Sequence, residues 1–333
     1  MNTAATLPDP PTAPTTSVAP SSAAPAPAAP AVPVAPPRPE SADDSRPFGA
    51  HLRMSWWKPL VIIPVLLIAM FVLQIVLVLV VMIIEAALFG RDPRDLTISP
   101  LMMLATNLSL AAMGPLAVLA MALIGRVPWR RLLASPRRMS LRRTGVYAAA
   151  FSALVLAALG VMQLIAPAST GLTSFALTGT TVGLLVVALL TTPLQAAGEE
   201  LMFRGAIMPA AASWVRAAKP ALVLGMVVST ILFGLVHMSV DPWLLSYYTL
   251  FGLCMAAMAV ISRGLEAPIA FHVSNNLILM VLGALFAGGE GLVIDRSVGM
   301  GGPFMLVFMV VDVLAVALVW LLERRRTAAE VVA

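Results

Sequence analysis

At 333 residues, 60% hydrophobic and only 11% charged, the chain carries less than half the roughly 25% charge of ordinary soluble domains. That composition excludes a pair of soluble globular domains and points to a bundle of apolar helices in a bilayer. The single cysteine, Cys254, excludes an intrachain disulfide and any cysteine-built zinc or iron–sulfur cage. The net charge of +5 is spread in short basic clusters between apolar stretches, the distribution that orients membrane helices rather than one that binds nucleic acid.

Residues 1–47 hold 13 of the 27 prolines, mixed with Ala, Ser and Thr. Such a stretch buries too little apolar surface to offset its ordering entropy, so a disordered, polyproline-like tail is expected over 1–55. It lacks the basic start and apolar core of a signal peptide. From Trp56 to about residue 326 a transmembrane domain is expected, with eight apolar stretches near 59–88, 99–124, 145–166, 182–212, 221–240, 242–261, 266–287 and 303–322, each near the roughly 20 residues that span a bilayer. The fold class is therefore all-α, a polytopic helical bundle. Arginines and lysines precede the first stretch, fill the even-numbered loops (Arg126 to Arg143, Arg216 and Lys219, Arg263) and follow the last stretch at Arg324 to Arg326. By the positive-inside rule both termini and these loops face the cytoplasm. Only Lys58 and Lys219 of the 21 basic residues are lysine, a usage that reads as GC-rich, bacterial coding, and the location expected is the cell membrane.

A charge at the centre of a spanning helix costs on the order of 2.5–3.5 kcal/mol, so such residues are candidates for function. The fourth stretch carries Gly198-Glu199-Glu200-Leu201-Met202-Phe203-Arg204 at its middle. Glu200 and Arg204, four apart, share a helix face and can pair as a structural salt bridge. Glu199 lies about 140° round the helix from Arg204 and needs another partner. A hairpin centred near residue 218 puts Glu199 and His237, each 19 residues from that centre, at one level on the fourth and fifth stretches. In the seventh stretch His272 and Asn276 are four apart and share a face. Straight helices would nevertheless set His237, about seventeen residues past Pro220, and His272, about nine past Arg263, some 12 Å apart in depth. The site closes only if the fourth and fifth helices tilt or extend beyond the membrane.

Asp312 is read as a helix-packing residue, with a site residue or Arg204 as the alternative partner, Gln74, Asn107, Gln163 and Gln195 as interhelical hydrogen bonders, and Tyr247, Tyr248 and Thr249 as candidates for an entry path. Trp56, Trp57 and Trp129 sit where interfacial anchors belong.

Two chemistries fit these groups. A carboxylate beside an imidazole can deprotonate a water while a second imidazole and an amide donate to the oxyanion of an attacked peptide bond. Alternatively, Glu199, His237 and His272 form a three-ligand set for a catalytic zinc ion. No His-Glu-x-x-His motif and no Gly-x-Ser-x-Gly elbow is present.

Glu199-Glu200-x-x-x-Arg204, Phe233-x-x-x-His237 and His272-x-x-x-Asn276, in that order on successive membrane stretches, resemble the CPBP family, the group of type II CAAX prenyl endopeptidases and bacteriocin-processing or immunity proteins also called Abi. The resemblance covers about residues 145–287 and implies an all-helical intramembrane endopeptidase acting on a peptide or membrane-protein substrate. By this likeness Glu199 and His237 activate water, His272 and Asn276 form the oxyanion hole, and Glu200 and Arg204 hold the first of these helices. The family implies either no metal or zinc. The glutamate route is favoured here, because Asn276 suits an oxyanion donor better than a zinc ligand. The competing expectations are a non-enzymatic immunity or binding protein on the same scaffold, a proton-coupled transporter and a bis-histidine haem protein.

Overall fold

The computed structural model describes residues 42–332 except 93, 96 and 173, with side chains as far as residue 326. Among these residues there is no strand, and eight helices are long and apolar enough to cross a membrane. They are α1 Trp57–Phe89, α2 Pro100–Gly125, α3 Leu141–Ile165, α4 Gly179–Ala212, α5 Ala218–Val236, α6 Pro242–Ser262, α7 Glu266–Phe286 and α8 Met305–Val332. This is a multi-pass membrane protein, and its spans follow the apolar stretches of the sequence closely.

Local chemistry sets where the helices begin. Ser99, Ser140 and Thr178 each turn a hydroxyl oxygen onto a backbone N–H of the following turn, that of Met102 at 3.0 Å, Arg143 at 3.4 Å and Thr181 at 3.2 Å, satisfying donors that a helix leaves open. The short connection before α6 works for the same reason. Asp241 Oδ1 accepts from Trp243 N at 2.9 Å and Leu244 N at 3.0 Å, and Pro242 needs no partner at the first helical position.

α7 lies at the centre, packed against α3, α4 and α6, while α2 covers α4, and α8 packs on α6 and α3. α1 stands at the edge, with Ile68, Ile75, Leu79 and Ile83 among its many exposed apolar side chains, as a lipid-facing helix requires. Two glycines permit close approach. A Cβ on Gly198 would overlap the Leu110 carbonyl oxygen of α2, and one on Gly225 would lie 3.0 Å from Ala212 Cβ and run into the Met208 carbonyl. Asn107 Nδ2 bonds Thr191 Oγ1 at 2.8 Å and Thr192 Oγ1 at 3.1 Å, and Ser109 Oγ donates to Gln74 Oε1 at 2.8 Å, so Asn107 and Gln74 are interhelical bonders as expected. Gln163 is not: its Oε1 accepts from Thr170 in the loop just after its own helix, because it sits in the last turn of α3.

The helices are not level at the basic end. α4 runs for 34 residues and α7 for 21. The start of α7 is sunk into the bundle, where Glu266 is fully buried and bonded to Arg137 and to Ser140 N. Gly205 of α4 lies at this level, where a Cβ would meet Leu132 O at 3.2 Å and Leu265 Cδ1 at 3.3 Å. The rest of α4 and the first turns of α5 therefore project past α7. This projection removes the depth mismatch expected of straight, level helices.

The covering of that projection corrects the expected extent of the tail. Residues 1–41 lie outside the described residues, but 42–55 are packed, with Phe48, Ala50, His51 and Leu52 fully buried. Asp43 N donates to His51 O at 2.7 Å, closing a loop whose Phe48 stacks on His51 (ring centroids 4.8 Å apart) and packs with Ala259 and Leu265. Proline density averaged over the whole leader hid this segment, which carries its apolar side chains just after Pro47.

His51 is fixed in one tautomer. Its Nδ1 accepts from Gly49 N at 3.1 Å, so Nε2–H donates to the Arg131 carbonyl at 2.9 Å. Burial pushes its pKa down from 6.5 to about 4, and a proton on Nδ1 would face the Gly49 N–H. The unfolded chain therefore binds more protons than the folded one between these values, and stability falls as pH drops from about 6.5 towards 4. A loss of up to about 3 kcal/mol follows from 1.36 kcal/mol per pKa unit. In detergent, thermal unfolding of the wild type should lose more between pH 7 and pH 4 than that of His51→Gln. Parallel pH slopes for the two proteins would refute it.

Candidate functional site

Glu199 and Glu200 end the regular part of α4, and Leu201–Ile207, with Arg204 in its middle, is wound as a π-helix. Pro209 follows one residue later, after Met208, and offers no N–H to the Gly205 carbonyl. A widened turn ahead of it accommodates that missing bond, a deviation often found at functional sites.

Glu200 and Arg204 form the expected pair and do more than that. Both are fully buried. Glu200 Oε1 accepts from Arg204 Nη1 at 3.0 Å and from His272 Nδ1 at 2.8 Å. Arg204 Nη2 donates to the Gly252 carbonyl of α6 at 2.9 Å, and its guanidinium lies 4.3 Å from the centre of the Phe233 ring of α5. One carboxylate thus ties together α4, α5, α6 and α7.

Glu199 is 7% exposed. Its Oε1 accepts from Gln195 Nε2 at 2.6 Å. Its Oε2 has no hydrogen bond and lies 3.8 Å from His272 Nε2. The direct imidazole neighbour of Glu199 is therefore His272, whereas the sequence pointed to His237. The hairpin register is as expected, since Phe203 and Phe233 meet edge to face at 5.2 Å. His237, however, lies just past the end of α5, donates Nδ1–H to the Phe233 carbonyl at 2.7 Å, and stacks on Tyr248 of α6 at 4.0 Å. The two imidazoles share one neighbour: the Phe233 ring centre is 4.8 Å from that of His237 and 6.1 Å from that of His272.

Asn276, one turn beyond His272, donates from Nδ2 to Gln195 Oε1 at 3.4 Å and accepts at Oδ1 from Asn275 Nδ2 at 3.2 Å. With the Glu199 carboxylate as terminal acceptor, these amides form a directional chain, Asn275 to Asn276 to Gln195 to Glu199, in which each orientation is dictated by the next. Gln195 therefore bonds between helices, as its sequence position suggests, and also holds the Glu199 carboxylate, while Asn275 extends the chain. The four-residue spacing from Gln195 to Glu199 was a readable signal. The adjacency of Asn275 to Asn276 carried none, because neighbouring residues on a helix point to different faces.

Of the proposed entry path, Tyr248 covers His237, and Thr249 bonds the Leu245 carbonyl within α6 at 2.8 Å. Asp312 is buried, makes no ion pair with Arg204, and lies within electrostatic reach of Tyr247 and Cys254. As to a metal, the donor atoms of Glu199, His237 and His272 have suitable chemistry. As they stand, no three His, Cys, Asp or Glu side chains among the described residues are grouped closely enough to hold an ion.

Residues 181–278 match a protein-family model described as type II CAAX prenyl endopeptidase Rce1-like. No match is found among curated proteins or solved structures. The matched segment runs from α4 to α7 and contains Glu199, Glu200, Arg204, His237, His272 and Asn276. It shows the family likeness expected from the three motifs, and it leaves α1, α2, α3 and α8 outside.

The buried network predicts a double-mutant result. Glu200→Ala strands a buried guanidinium and should cost about 3–5 kcal/mol of stability. Adding Arg204→Met should restore most of that loss, as read by thermal unfolding in detergent. Equal stability of the single and double variants would show that the pair is not coupled.

Proposed function

We propose, from the match of residues 181–278 to the Rce1-like type II CAAX prenyl endopeptidase model, that the protein is an intramembrane endopeptidase of membrane-associated peptides or proteins. The observation that carries this is Glu199, a carboxylate buried in an apolar bundle with Oε2 uncommitted and 3.8 Å from an imidazole nitrogen. A mere scaffold has no use for such a group.

In the proposed reaction Glu199 and His237 hold the attacking water. His237 has its Nδ1–H committed to Phe233, so the neutral ring presents Nε2 as an acceptor. Glu199 takes a proton as the water oxygen bonds to the peptide carbonyl carbon, then delivers it to the leaving nitrogen as the C–N bond breaks. Asn276 Nδ2, resting on Gln195 at 3.4 Å, is loosely held and can turn its second N–H to the oxyanion. His272 donates to the same oxygen through Nε2, which requires both ring nitrogens to be protonated because Nδ1–H is on Glu200. Gln195 fixes the Glu199 carboxylate, and Glu200 with Arg204 fixes His272. No step uses a metal ion.

The basic residues at the ends of the spans favour cytoplasmic termini, and the preference for arginine over lysine suits a bacterial cell. A leader peptide or a membrane-anchored regulator suits that setting better than a prenylated tail.

Purified full-length protein should cleave members of a membrane-peptide library. Asn276→Ala should lower kcat by about 10²–10³, and Glu199→Gln and His237→Ala by about 10²–10⁴. Cleavage should survive chelation. Equal cleavage by wild type and all three variants would remove the assignment, and activity lost on chelation and restored by zinc would replace the glutamate route with the metal one.

A further inference from the structure

At the basic end, the packed leader and the tip of the α4–α5 hairpin form a half-open cavity of about 290 Å³ lined by Arg46, Arg53, Met54, Ser213, Val215 and Arg216. Three arginines line it, and none makes an ion pair among the described residues. Arg46 is only 7% exposed, and its Nε and Nη2 are buried without a hydrogen-bond partner. The two other lining arginines are exposed.

The contrast with the rest of the molecule is informative. Buried Arg204 has Glu200, and buried Glu266 has Arg137. The carboxylates near Arg46 are otherwise engaged. Asp44 is bonded to Arg131 and to Ser135 at 2.8 Å. Asp43 is bonded to Ser45 at 2.6 Å and acts on Arg53 and Arg46 only from beyond ion-pair distance. A buried guanidinium left uncompensated is unfavourable in a folded protein. Among the described residues no carboxylate supplies the missing counter-charge at ion-pair distance.

We propose that this cavity binds a phosphate group, carried either by an anionic lipid headgroup or by a free phosphate. Guanidinium forks match phosphate oxygens in shape and charge. The setting also suits a headgroup. Trp214 Nε1 donates to the Trp56 carbonyl at 2.8 Å, and Trp56, Trp57 and Trp214 are exposed beside the cavity, as residues at a membrane–water interface are. Basic pockets at this level are where anionic headgroups are held. The site stands apart from the Glu199 centre and does not depend on proteolytic activity.

The test uses detergent-purified full-length protein at constant ionic strength, with tryptophan fluorescence and thermal unfolding as readouts. Inorganic phosphate is titrated in one arm. In the other the protein is placed in nanodiscs of phosphatidylcholine alone or with phosphatidylglycerol. A saturable response to phosphate, to phosphatidylglycerol or to both is expected, weakened at least tenfold in Arg53→Gln/Arg216→Gln, whose side chains are exposed and whose fold is preserved. A response to phosphate alone identifies the free ion as the source, and a response to phosphatidylglycerol alone identifies the headgroup. Arg46→Gln should abolish the response, and if that variant fails to fold, the exposed double variant decides. No response in either arm, or a response undiminished in the double variant, would overturn the proposal.

Discussion

Everything at the candidate centre depends on one carboxylate oxygen. Glu200 Oε1 receives both Arg204 and His272, and Arg204 then reaches α5 through the Phe233 ring and α6 through the Gly252 carbonyl. In an apolar bundle there is no water to share these charges, so each group must find its partner within the protein. The result is a fixed joint among four helices. His272 acquires a defined orientation from that joint, and Phe233, which supports both imidazoles, is held at the same point.

This joint requires helices of very unequal length to meet at one depth. α4 and α5 project beyond the sunken start of α7, and their projecting ends need cover. The 126–140 loop and the leader segment provide it, with Leu265 N bonded to Leu133 O at 2.8 Å and His51 bonded to Arg131 O at 2.9 Å. The leader is thus part of the architecture that allows the site to close. Its arginines also bring an excess of positive charge to the membrane edge.

Within the centre, Glu199 and Glu200 differ sharply although they are adjacent. Glu200 is engaged by two cationic or N–H-bearing partners on one oxygen. Glu199 is engaged on one oxygen by an amide and left open on the other. Adjacent residues on a helix point about 100° apart, so one faces the interhelical joint and the other the space between α4 and α7. The same helix therefore presents an uncommitted carboxylate oxygen and a fully engaged one on consecutive residues.

The all-helical membrane class, the positions of the eight spans and the Glu200–Arg204 pair were legible in the sequence. These follow from composition, from the cost of charge in an apolar segment and from helical spacing, all of which act locally. Tertiary structure alone decided that Glu199 faces His272, that Gln195 and Asn275 extend the polar chain, and that residues 42–55 are packed. Which imidazole meets a carboxylate depends on how far one helix slides past another. That slide is set by Leu133, Gly205 and Leu265, which are distant in sequence and unremarkable when read alone.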